Sequence, residues 1–201
     1  MTFLERVETL APSVTDNPAR RLLDADRCAL VVVDIQEKLL PAIFNRQELI
    51  RNARLLLRLA SIMKLPVLAT TQYAKGLGAT VPEITELMGG VEPHDKVEFS
   101  GFGAESFCTE LKKHNDRDTL LLCGIESHIC VMQTAVSALN QGYTVHVAAD
   151  AAGSRTEANW RAGLRRMKSA GCVISTTEMM MYELMRRSGS ATFKAMLQHL
   201  K

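Results

Sequence analysis

Three residues of this chain have side chains suited to nucleophilic chemistry and stand close to apolar runs. Asp34 ends the run that begins at Ala29, and a carboxylate at the end of a buried strand is costly unless it has a partner or a task. Cys130 follows G-I-E-S-H-I in the first turn of a predicted helix, where the helix dipole favours anions and can lower the pKa of a thiol. Lys96 lies in the segment H-D-K-V-E-F-S-G-F, and a lysine beside a thiolate and a carboxylate would hold charge and could move a proton.

Each of these residues also has a purely structural interpretation. Asp34 would cap the turn over residues 36–40, and Lys96 would be an ordinary solvated lysine. Cys130 would be a small apolar residue packed on a sheet, which is the usual role of a free cysteine. Position alone leaves both interpretations open for Asp34 and Cys130. The packing role is preferred for the cysteines in or beside predicted strands or in mid-helix, which are Cys28, Cys108, Cys123 and Cys172.

Sites for nucleotides and metals are not indicated. No G-x-G-x-x-G follows the first apolar run, which ends in D-I-Q-E-K, and no G-x-x-x-x-G-K-[ST] occurs anywhere. His128, Cys130 and Cys123 lack the paired spacing of structural zinc sites, and His94 has no second ligand pattern near it. The sequence therefore predicts no metal and no cofactor.

The composition is that of a soluble globular protein, with 47% hydrophobic and 23% charged residues. A net charge of +2 is too small to indicate nucleic acid or an anionic membrane as partner. The apolar runs are far shorter than the ~20 residues that span a bilayer. The five scattered cysteines and the absence of an export signal in the first residues predict a cytoplasmic protein with free thiols.

Apolar runs alternate with segments of helical periodicity along the chain. Strands are predicted at 29–33, 67–70, 119–123, 144–149 and 173–175, with helices at 47–63, 104–114, 129–141 and 157–170, then a Met-rich helix capped by Thr176 or Thr177 and a last one at 192–201. This alternation predicts a three-layer α/β/α fold, with a Rossmann-like parallel sheet of five or six strands and helices on both faces. Residues 71–101 are predicted to be a long irregular loop, apart from a helical stretch near 81–88.

The chain is expected to hold one domain over residues 28–201, preceded by a proline-interrupted lead-in over residues 1–27. The lead-in is expected to form a short helix that packs on the domain or on a neighbouring subunit. In open α/β sheets, ligands bind beyond the carboxyl ends of the strands, where the strand order reverses. Functional residues should therefore follow apolar runs, as Asp34, Asp150 and Cys130 do.

Five segments together resemble the isochorismatase-like hydrolase family, which includes nicotinamidases and N-carbamoylsarcosine amidohydrolase. They are A-L-V-V-V-D-I-Q-E-K (29–38), A-T-T-Q-Y-A-K-G-L-G (69–78), K-V-E-F-S-G-F (96–102), L-C-G-I-E-S-H-I-C-V (122–131) and V-A-A-D-A-A-G-S-R (147–155). The resemblance runs from about residue 24 to about residue 188 and is strongest to the uncharacterised isochorismatase-domain branch.

The resemblance implies a catalytic triad of Asp34, Lys96 and Cys130. Cys130 would attack a carbonyl carbon as thiolate, Asp34 would take the thiol proton, and Lys96 would bridge the two and hold Asp34 ionised. It also implies a non-proline cis peptide between Ile125 and Glu126. The oxyanion would then lie between the N–H groups of Glu126 and Cys130. Four further positions are implied to shape the substrate pocket, namely Gln36, Gln72, Phe99 and Phe102.

Two departures from the family pattern limit what the resemblance implies. Nicotinamidases carry an Asp-x-His type metal site after the second strand, whereas this chain has T-T-Q-Y-A-K-G there. True isochorismatases cleave a vinyl ether and do not need the cysteine, so Cys130 favours carbonyl chemistry. The sequence is thus interpreted as a metal-independent cysteine hydrolase of a small amide or related acyl compound, acting through a thioester.

Two alternatives are an isochorismatase-type vinyl ether hydrolase and a non-catalytic binding protein that keeps the fold. A homo-oligomer is expected from the apolar, Met-rich C-terminal region and from the habit of the family. The remaining partner is expected to be a small-molecule substrate, with no nucleic acid and no membrane.

Overall fold

The computed structural model describes residue 17 and residues 20–200, and its centre is a sheet of six parallel strands. The strands are β1 (Cys28–Val33), β2 (Val67–Gln72), β3 (His94–Lys96), β4 (Thr119–Ile125), β5 (Thr144–Gly153) and β6 (Val173–Ser175). They lie in the order β3-β2-β1-β4-β5-β6, with every neighbouring pair parallel. The strand order reverses between β1 and β4. The predicted α/β fold is confirmed.

Helices cover both faces of this sheet. They are α1 (Arg46–Met63), α2 (Ala74–Leu77), α3 (Pro82–Thr85), α4 (Glu105–Lys112), α5 (Cys130–Asn140), α6 (Glu157–Ala170), α7 (Thr177–Met185) and α8 (Ala191–Leu197), with 3-10 turns at Ala25–Arg27, Leu40–Ala42 and Gly101–Gly103. One apolar cluster lies between the sheet and α1, α7 and α8, and a second lies between the sheet and α4, α5 and α6. Within the described part of the chain, no helix is both long and apolar enough to cross a membrane.

The two clusters explain why β1 is a continuous apolar run. Side chains alternate between the faces of a strand, so Leu30 and Val32 enter the first cluster while Val31 and Val33 enter the second. All six residues of β1 are buried. A strand covered on both faces needs apolar residues at every position, which is the pattern that parallel sheets produce.

Local signals set the ends of the flanking helices. The chain leaves α1 at Lys64 in the left-handed conformation, and Pro66 follows two residues later. Helix α6 begins where the Thr156 side chain accepts a hydrogen bond from the N–H of Asn159, and it ends at Gly171 with φ +110°. These ends match the predicted ones within a residue.

The largest differences from the sequence prediction concern β3 and β5. Residues 94–96 form edge strand β3, where an irregular loop was predicted, and Lys96 is in register with Gln72 of β2. Strand β5 continues four residues beyond its predicted end at Ala149, so Asp150 lies inside the strand. The Asp150 carboxylate accepts hydrogen bonds from the N–H and hydroxyl of Thr177 at 2.7 and 2.9 Å, and so fixes the start of α7.

The predicted lead-in helix cannot be compared with the structure over most of its length. Most of residues 1–27 lies outside the described residues, although Leu23 is buried and its N–H donates to Glu183 at 3.0 Å.

In the Met-rich helix α7, Met180 and Met181 are part of the core, whereas Met179 is exposed. Most of the methionine side chains in this run therefore pack between α7 and the sheet.

Candidate active site

The structure brings Asp34, Lys96 and Cys130 to the same end of the sheet. Asp34 directly follows β1, Lys96 is the last residue of β3, and Cys130 is the first residue of α5, which follows β4. Because all strands are parallel, their carboxyl ends share one edge. The neighbours β1 and β4 also form the point where strand order reverses, which is where ligands bind in folds of this kind.

Asp34 and Lys96 form a fully buried ion pair. Lys96 Nζ lies 2.7 Å from Asp34 Oδ2, and both side chains are completely shielded from solvent. The other carboxylate oxygen accepts a hydrogen bond from the hydroxyl of Thr70 at 2.7 Å. Buried charges must be paired and hydrogen-bonded to be tolerated, and here each group supplies the partner of the other.

Gln72 connects the lysine to the cysteine. Its Oε1 accepts a hydrogen bond from Lys96 Nζ at 2.8 Å and a longer one from the Cys130 thiol at 3.9 Å. Its Nε2 donates to the carbonyl of Val97 at 2.7 Å, which fixes the orientation of the amide. The sequence assigned Gln72 to the substrate pocket, and the structure adds these contacts with two members of the predicted triad.

Gln36, which the resemblance assigns to the substrate pocket, is hydrogen-bonded to the backbone of the segment after β2. Its side chain is fully buried, its Nε2 donates to the carbonyls of Gln72 and Gly78 at 3.1 and 2.7 Å, and its Oε1 accepts from the N–H of Gln72 at 2.7 Å. All these bonds go to backbone atoms of the segment after β2. Gln36 therefore braces the backbone that carries Gln72, and its contact with a substrate stays a prediction.

Burial and the neighbouring carboxylate of Asp34 raise the pKa of Cys130 to about 12, against the opposing effect of Lys96. The position at the start of a helix suggested the opposite direction, towards a thiolate. The difference arises because removal from water penalises the thiolate and because a negative charge already lies beside it. The resting group is thus a neutral thiol with a base next to it.

The backbone before Cys130 turns sharply. The peptide between Ile125 and Glu126 is cis, as the sequence resemblance implied. The carbonyl of Glu126 accepts hydrogen bonds from the N–H groups of Ile129 and Val131 at 2.9 and 3.2 Å. Cys130 is the first residue of α5, and the first N–H groups of a helix have no partner within the helix.

Glycine is required at the end of β4. Gly124 has φ +127°, and a Cβ built on it would lie 2.0 Å from the backbone oxygen of Val33. No side chain fits between β4 and β1 at this level. The close approach places the residues that follow Gly124 beside Asp34, which follows Val33.

The two phenylalanines assigned to the pocket have different surroundings. Phe99 is 51% exposed and lies three residues beyond Lys96. The ring of Phe102 packs against the rings of Phe107 and Tyr143, in the cluster beneath α4 and α5. These contacts give Phe102 a place in the helix packing, and its assignment to the pocket stays a prediction.

The other cysteines are in packed positions. Burial raises the pKa of Cys28 and Cys123 to about 12 and that of Cys172 to about 11. Cys108 is half-buried in mid-helix, and its thiol donates to the carbonyl of Phe102 at 3.4 Å. All four cysteines belong to the two apolar clusters or pack against them, which agrees with the predicted packing roles.

The described residues contain no group of three or more His, Cys, Asp or Glu side chains arranged to hold a metal ion. His128 is instead hydrogen-bonded through Nδ1 to the hydroxyl of Ser154 at 3.0 Å, and the ring of His94 packs on that of Phe107.

The sequence prediction missed two residues that contact the site. Thr70 donates a hydrogen bond to Asp34, and Arg155 contacts Glu126. The signal for Thr70 was the polar T-T-Q that closes an otherwise apolar strand.

The chain is similar to proteins of known family. The family model described as Isochorismatase domain matches residues 28–179. Isochorismatase domain-containing protein 2 from Danio rerio is 38% identical to this chain over 165 residues, which cover 82% of each protein.

Solved structures with the same fold carry functional descriptions of their own. The MAR1 ribonuclease of Caenorhabditis elegans superposes with a TM-score of 0.83 at 32% identity, covering 90% of this chain and 92% of that one. The YcaC gene product of Escherichia coli, described as an octameric hydrolase of unknown specificity, gives a TM-score of 0.83 at 25% identity and covers 94% and 92%.

Proposed function

Since this chain belongs to the isochorismatase family, we propose that it is a cysteine hydrolase that cleaves a small amide or related acyl compound through a thioester. The observation that carries the proposal is the buried pair of Asp34 and Lys96, with its 2.7 Å contact, beside the thiol of Cys130. A nucleophile, a base and a cation meet at one end of the sheet, and these are the parts that nucleophilic acyl transfer requires.

The first half of the reaction is acylation. Asp34 takes the proton of the Cys130 thiol while the sulfur attacks the carbonyl carbon of the substrate, giving a tetrahedral intermediate with a negative oxygen. The raised pKa of Cys130 makes this transfer part of the attack, because the thiol is protonated at rest. Collapse of the intermediate breaks the bond to the leaving amine, which departs with the proton from Asp34, and a thioester on Cys130 remains.

The second half returns the enzyme to its starting state. Asp34 takes a proton from a water molecule, whose oxygen attacks the thioester carbon. The carbon–sulfur bond then breaks, the acid leaves, and the sulfur of Cys130 regains a proton from Asp34. Lys96 remains the cation throughout, and it favours the ionised form of Asp34 at the start of each half.

The negative oxygen of each tetrahedral intermediate needs donors. The N–H groups of Glu126 and Cys130 are the proposed pair, and the second is supported by the position of Cys130 at the start of α5. Removing one donor of such a pair typically slows catalysis by roughly 100- to 1,000-fold.

The substrate is proposed to be a small molecule, and no cofactor takes part. Cys130 is only 6% exposed, so the space through which a carbonyl group reaches its sulfur is proposed to be narrow. Exposed Phe99, close in sequence to Lys96, is the proposed apolar contact for the part of the substrate outside this space. We expect turnover to be unaffected by a chelator.

The test is an activity screen over small amides, followed by the Cys130→Ala variant on any substrate found. Loss of turnover in Cys130→Ala, together with a mass increase on Cys130 of wild-type protein treated with an activated ester, is the expected result. Cys108→Ala serves as the matched control, because its half-buried thiol lies outside the site. Full turnover by Cys130→Ala would contradict the proposed nucleophile.

Two assays address other activities. Release of pyruvate from isochorismate would indicate vinyl ether hydrolysis, which does not need Cys130. The name of the Caenorhabditis elegans relative makes RNA a substrate to examine. We expect no cleavage of RNA, since the net charge of this chain is only +2 and phosphate backbones are bound through clusters of cations.

The chain is further proposed to form a homo-oligomer in the cytoplasm. The octameric YcaC relative and the exposed apolar side chains of Phe44, Tyr73 and Val97 support the first part. Five free thiols support the second. Sedimentation as a monomer at micromolar concentration would contradict the oligomer.

A further inference from the structure

The carboxylate of Glu126 accepts hydrogen bonds from Arg155, and His128 Nδ1 lies 4.0 Å from its Oε2. The backbone N–H of Arg155 donates to Glu126 Oε2 at 2.9 Å, its Nε donates to the same oxygen at 3.1 Å, and its Nη2 donates to Oε1 at 2.6 Å. Glu126 is the residue directly after β4, and Arg155 follows β5 by two residues. The pair therefore joins the carboxyl ends of two neighbouring strands.

The two partners differ in exposure. The Glu126 side chain is 7% exposed, whereas that of Arg155 is 57% exposed. Burial alone raises the pKa of Glu126, but the hydrogen bonds from Arg155 bring it below its usual value. The carboxylate thus stays ionised, with donors that fix its position from both the backbone and the side chain of one residue.

The end of β5 and helix α6 also hold the residues between Glu126 and Cys130. The N–H of Ser127 donates to the carbonyl of Gly153 at 2.7 Å, and the hydroxyls of Ser127 and Ser154 lie 2.6 Å apart. Gly163 of α6 approaches so closely that a Cβ built on it would lie 2.5 Å from the carbonyl oxygen of Ser127. The end of β5 and helix α6 thus hold the segment that carries the proposed oxyanion donors.

We propose that Arg155 is a positioning residue, which holds the backbone of Glu126 so that its N–H points at the oxygen that becomes negative during acyl transfer. The inference rests on the proposed function and adds to it a residue that does not touch the substrate. A rotation of Glu126 about its backbone would move its carboxylate away from three N–H donors of Arg155 at once. An exposed arginine acting only at the surface would have no such effect on the site.

The test separates a reaction that forms an oxyanion from one that does not. Acylation of Cys130 by p-nitrophenyl acetate passes through a tetrahedral oxyanion, whereas alkylation of the same sulfur by iodoacetamide displaces iodide and forms none. We expect Arg155→Met to slow acylation by about 10- to 100-fold, below the full effect of a lost oxyanion donor. Alkylation should stay within about twofold of wild type, since the thiol and its base are unchanged.

Matched variants make the comparison specific. Arg161→Met removes a similar arginine, whose Nη2 lies 2.5 Å from Glu157 on the exposed face of α6, and should leave both rates unchanged. Arg155→Lys keeps a cation and the backbone N–H and should restore part of the acylation rate. Glu126→Gln, which keeps the shape of the side chain, should lower acylation in the same selective way if Arg155→Met does not fold.

Each outcome decides between the claims. Acylation of Arg155→Met at the wild-type rate, or an equal fall in acylation and alkylation, overturns the positioning role while the proposed hydrolase stands. If no activated ester acylated Cys130 of the wild-type protein, the proposed function would be overturned. The role of Arg155 would then be overturned as well.

Discussion

Gln72 Oε1 lies 2.8 Å from the ammonium of Lys96 and accepts a hydrogen bond from it, while Asp34 Oδ2 accepts another at 2.7 Å. The same oxygen is the acceptor for the Cys130 thiol at 3.9 Å. The amide thereby sets the distance between the cation and the nucleophile. A neutral acceptor suits this place, because an amide oxygen accepts hydrogen bonds from Lys96 and the thiol but is too weak a base to take the thiol proton.

Replacement of Gln72 by methionine should therefore impair the reaction. The variant removes one hydrogen bond to a buried cation, a loss of about 1–3 kcal/mol, and we expect kcat/KM to fall roughly 10- to 100-fold. Steady-state kinetics on a substrate from the amide screen measure the effect. Gln47→Met, at an exposed position of α1, is the matched control. Unchanged kcat/KM in Gln72→Met would show that Gln72 only fills space.

Asp34→Asn should separate thiol reactivity from turnover. The Asp34 carboxylate is, after burial, the main cause of the raised pKa of Cys130, and Lys96 acts in the opposite direction. Removing the carboxylate lowers that pKa, so the thiolate fraction at a given pH rises about tenfold for each unit. We expect faster alkylation of Cys130 by iodoacetamide near pH 8.5, together with loss of turnover because the base is absent.

Lys96→Met provides the opposite arm of this experiment. It removes the cation that favours the thiolate, so alkylation of Cys130 should become slower than in wild type. Cys130→Ala identifies the part of the signal that comes from the other thiols. Equal alkylation rates in wild type, Asp34→Asn and Lys96→Met would mean that the three side chains do not interact in solution.

His146 should make the fold less stable in mild acid. It lies on β5, is 3% exposed, and its Nδ1 has no hydrogen-bond partner among the residues that the structure describes. Burial lowers its pKa in the folded state, although Glu183 acts in the opposite direction. Its contribution is thus fully present above the unfolded pKa of about 6.5 and is lost as the pH falls below it towards the folded pKa.

Urea unfolding at about pH 7.5 and pH 5.5 measures this effect. The free energy of unfolding of wild type should fall between the two values by more than that of His146→Val, which keeps a β-branched residue in the strand. His199→Gln, at a partly exposed position after α8, should behave as wild type. A wild-type decrease that His146→Val reproduces in full would assign the pH dependence to other groups.

Gly163→Ala should disturb the segment before Cys130. A Cβ at this position meets the backbone of Ser127 and His128 at 2.5 to 2.9 Å, and backbone atoms cannot move aside as a flexible side chain does. Overpacking of this kind typically costs about 1–3 kcal/mol of stability. We expect a lower melting temperature in calorimetry and slower acylation of Cys130. Ser169→Ala, on the exposed side of the same helix, should change neither.

The sequence predicted the parts of this molecule that repeat a simple pattern. Buried strands such as β1 and amphipathic helices such as α1 follow from apolar spacing, and the order of the matched segments indicated Asp34, Lys96 and Cys130. Strand β3 was missed because its three residues, H-D-K, are all polar, whereas the equally short edge strand β6 begins with two apolar residues. The end of β5 was misplaced since Asp150, a polar residue, lies inside the strand.

The chemistry of the site depended on distances that a sequence does not contain. The direction of the Cys130 pKa was set by burial and by a carboxylate 96 positions earlier in the chain, against the local effect of a helix start. Gln36 carries a polar side chain typical of a binding site, yet every hydrogen bond it makes goes to backbone atoms of the segment after β2. Residue type alone does not distinguish a buried brace from a ligand contact.

Strand β3 should resist heat less well than the strands in the middle of the sheet. Lys96 is joined to the sheet through three residues that pair with β2 alone, whereas Asp34 and Cys130 follow strands from its middle. Fraying begins at edges of sheets, where the fewest contacts must be broken. On warming, β3 should therefore separate from β2 and take Lys96 out of the site before the remaining strands separate. Activity would then be lost at a lower temperature than the fold.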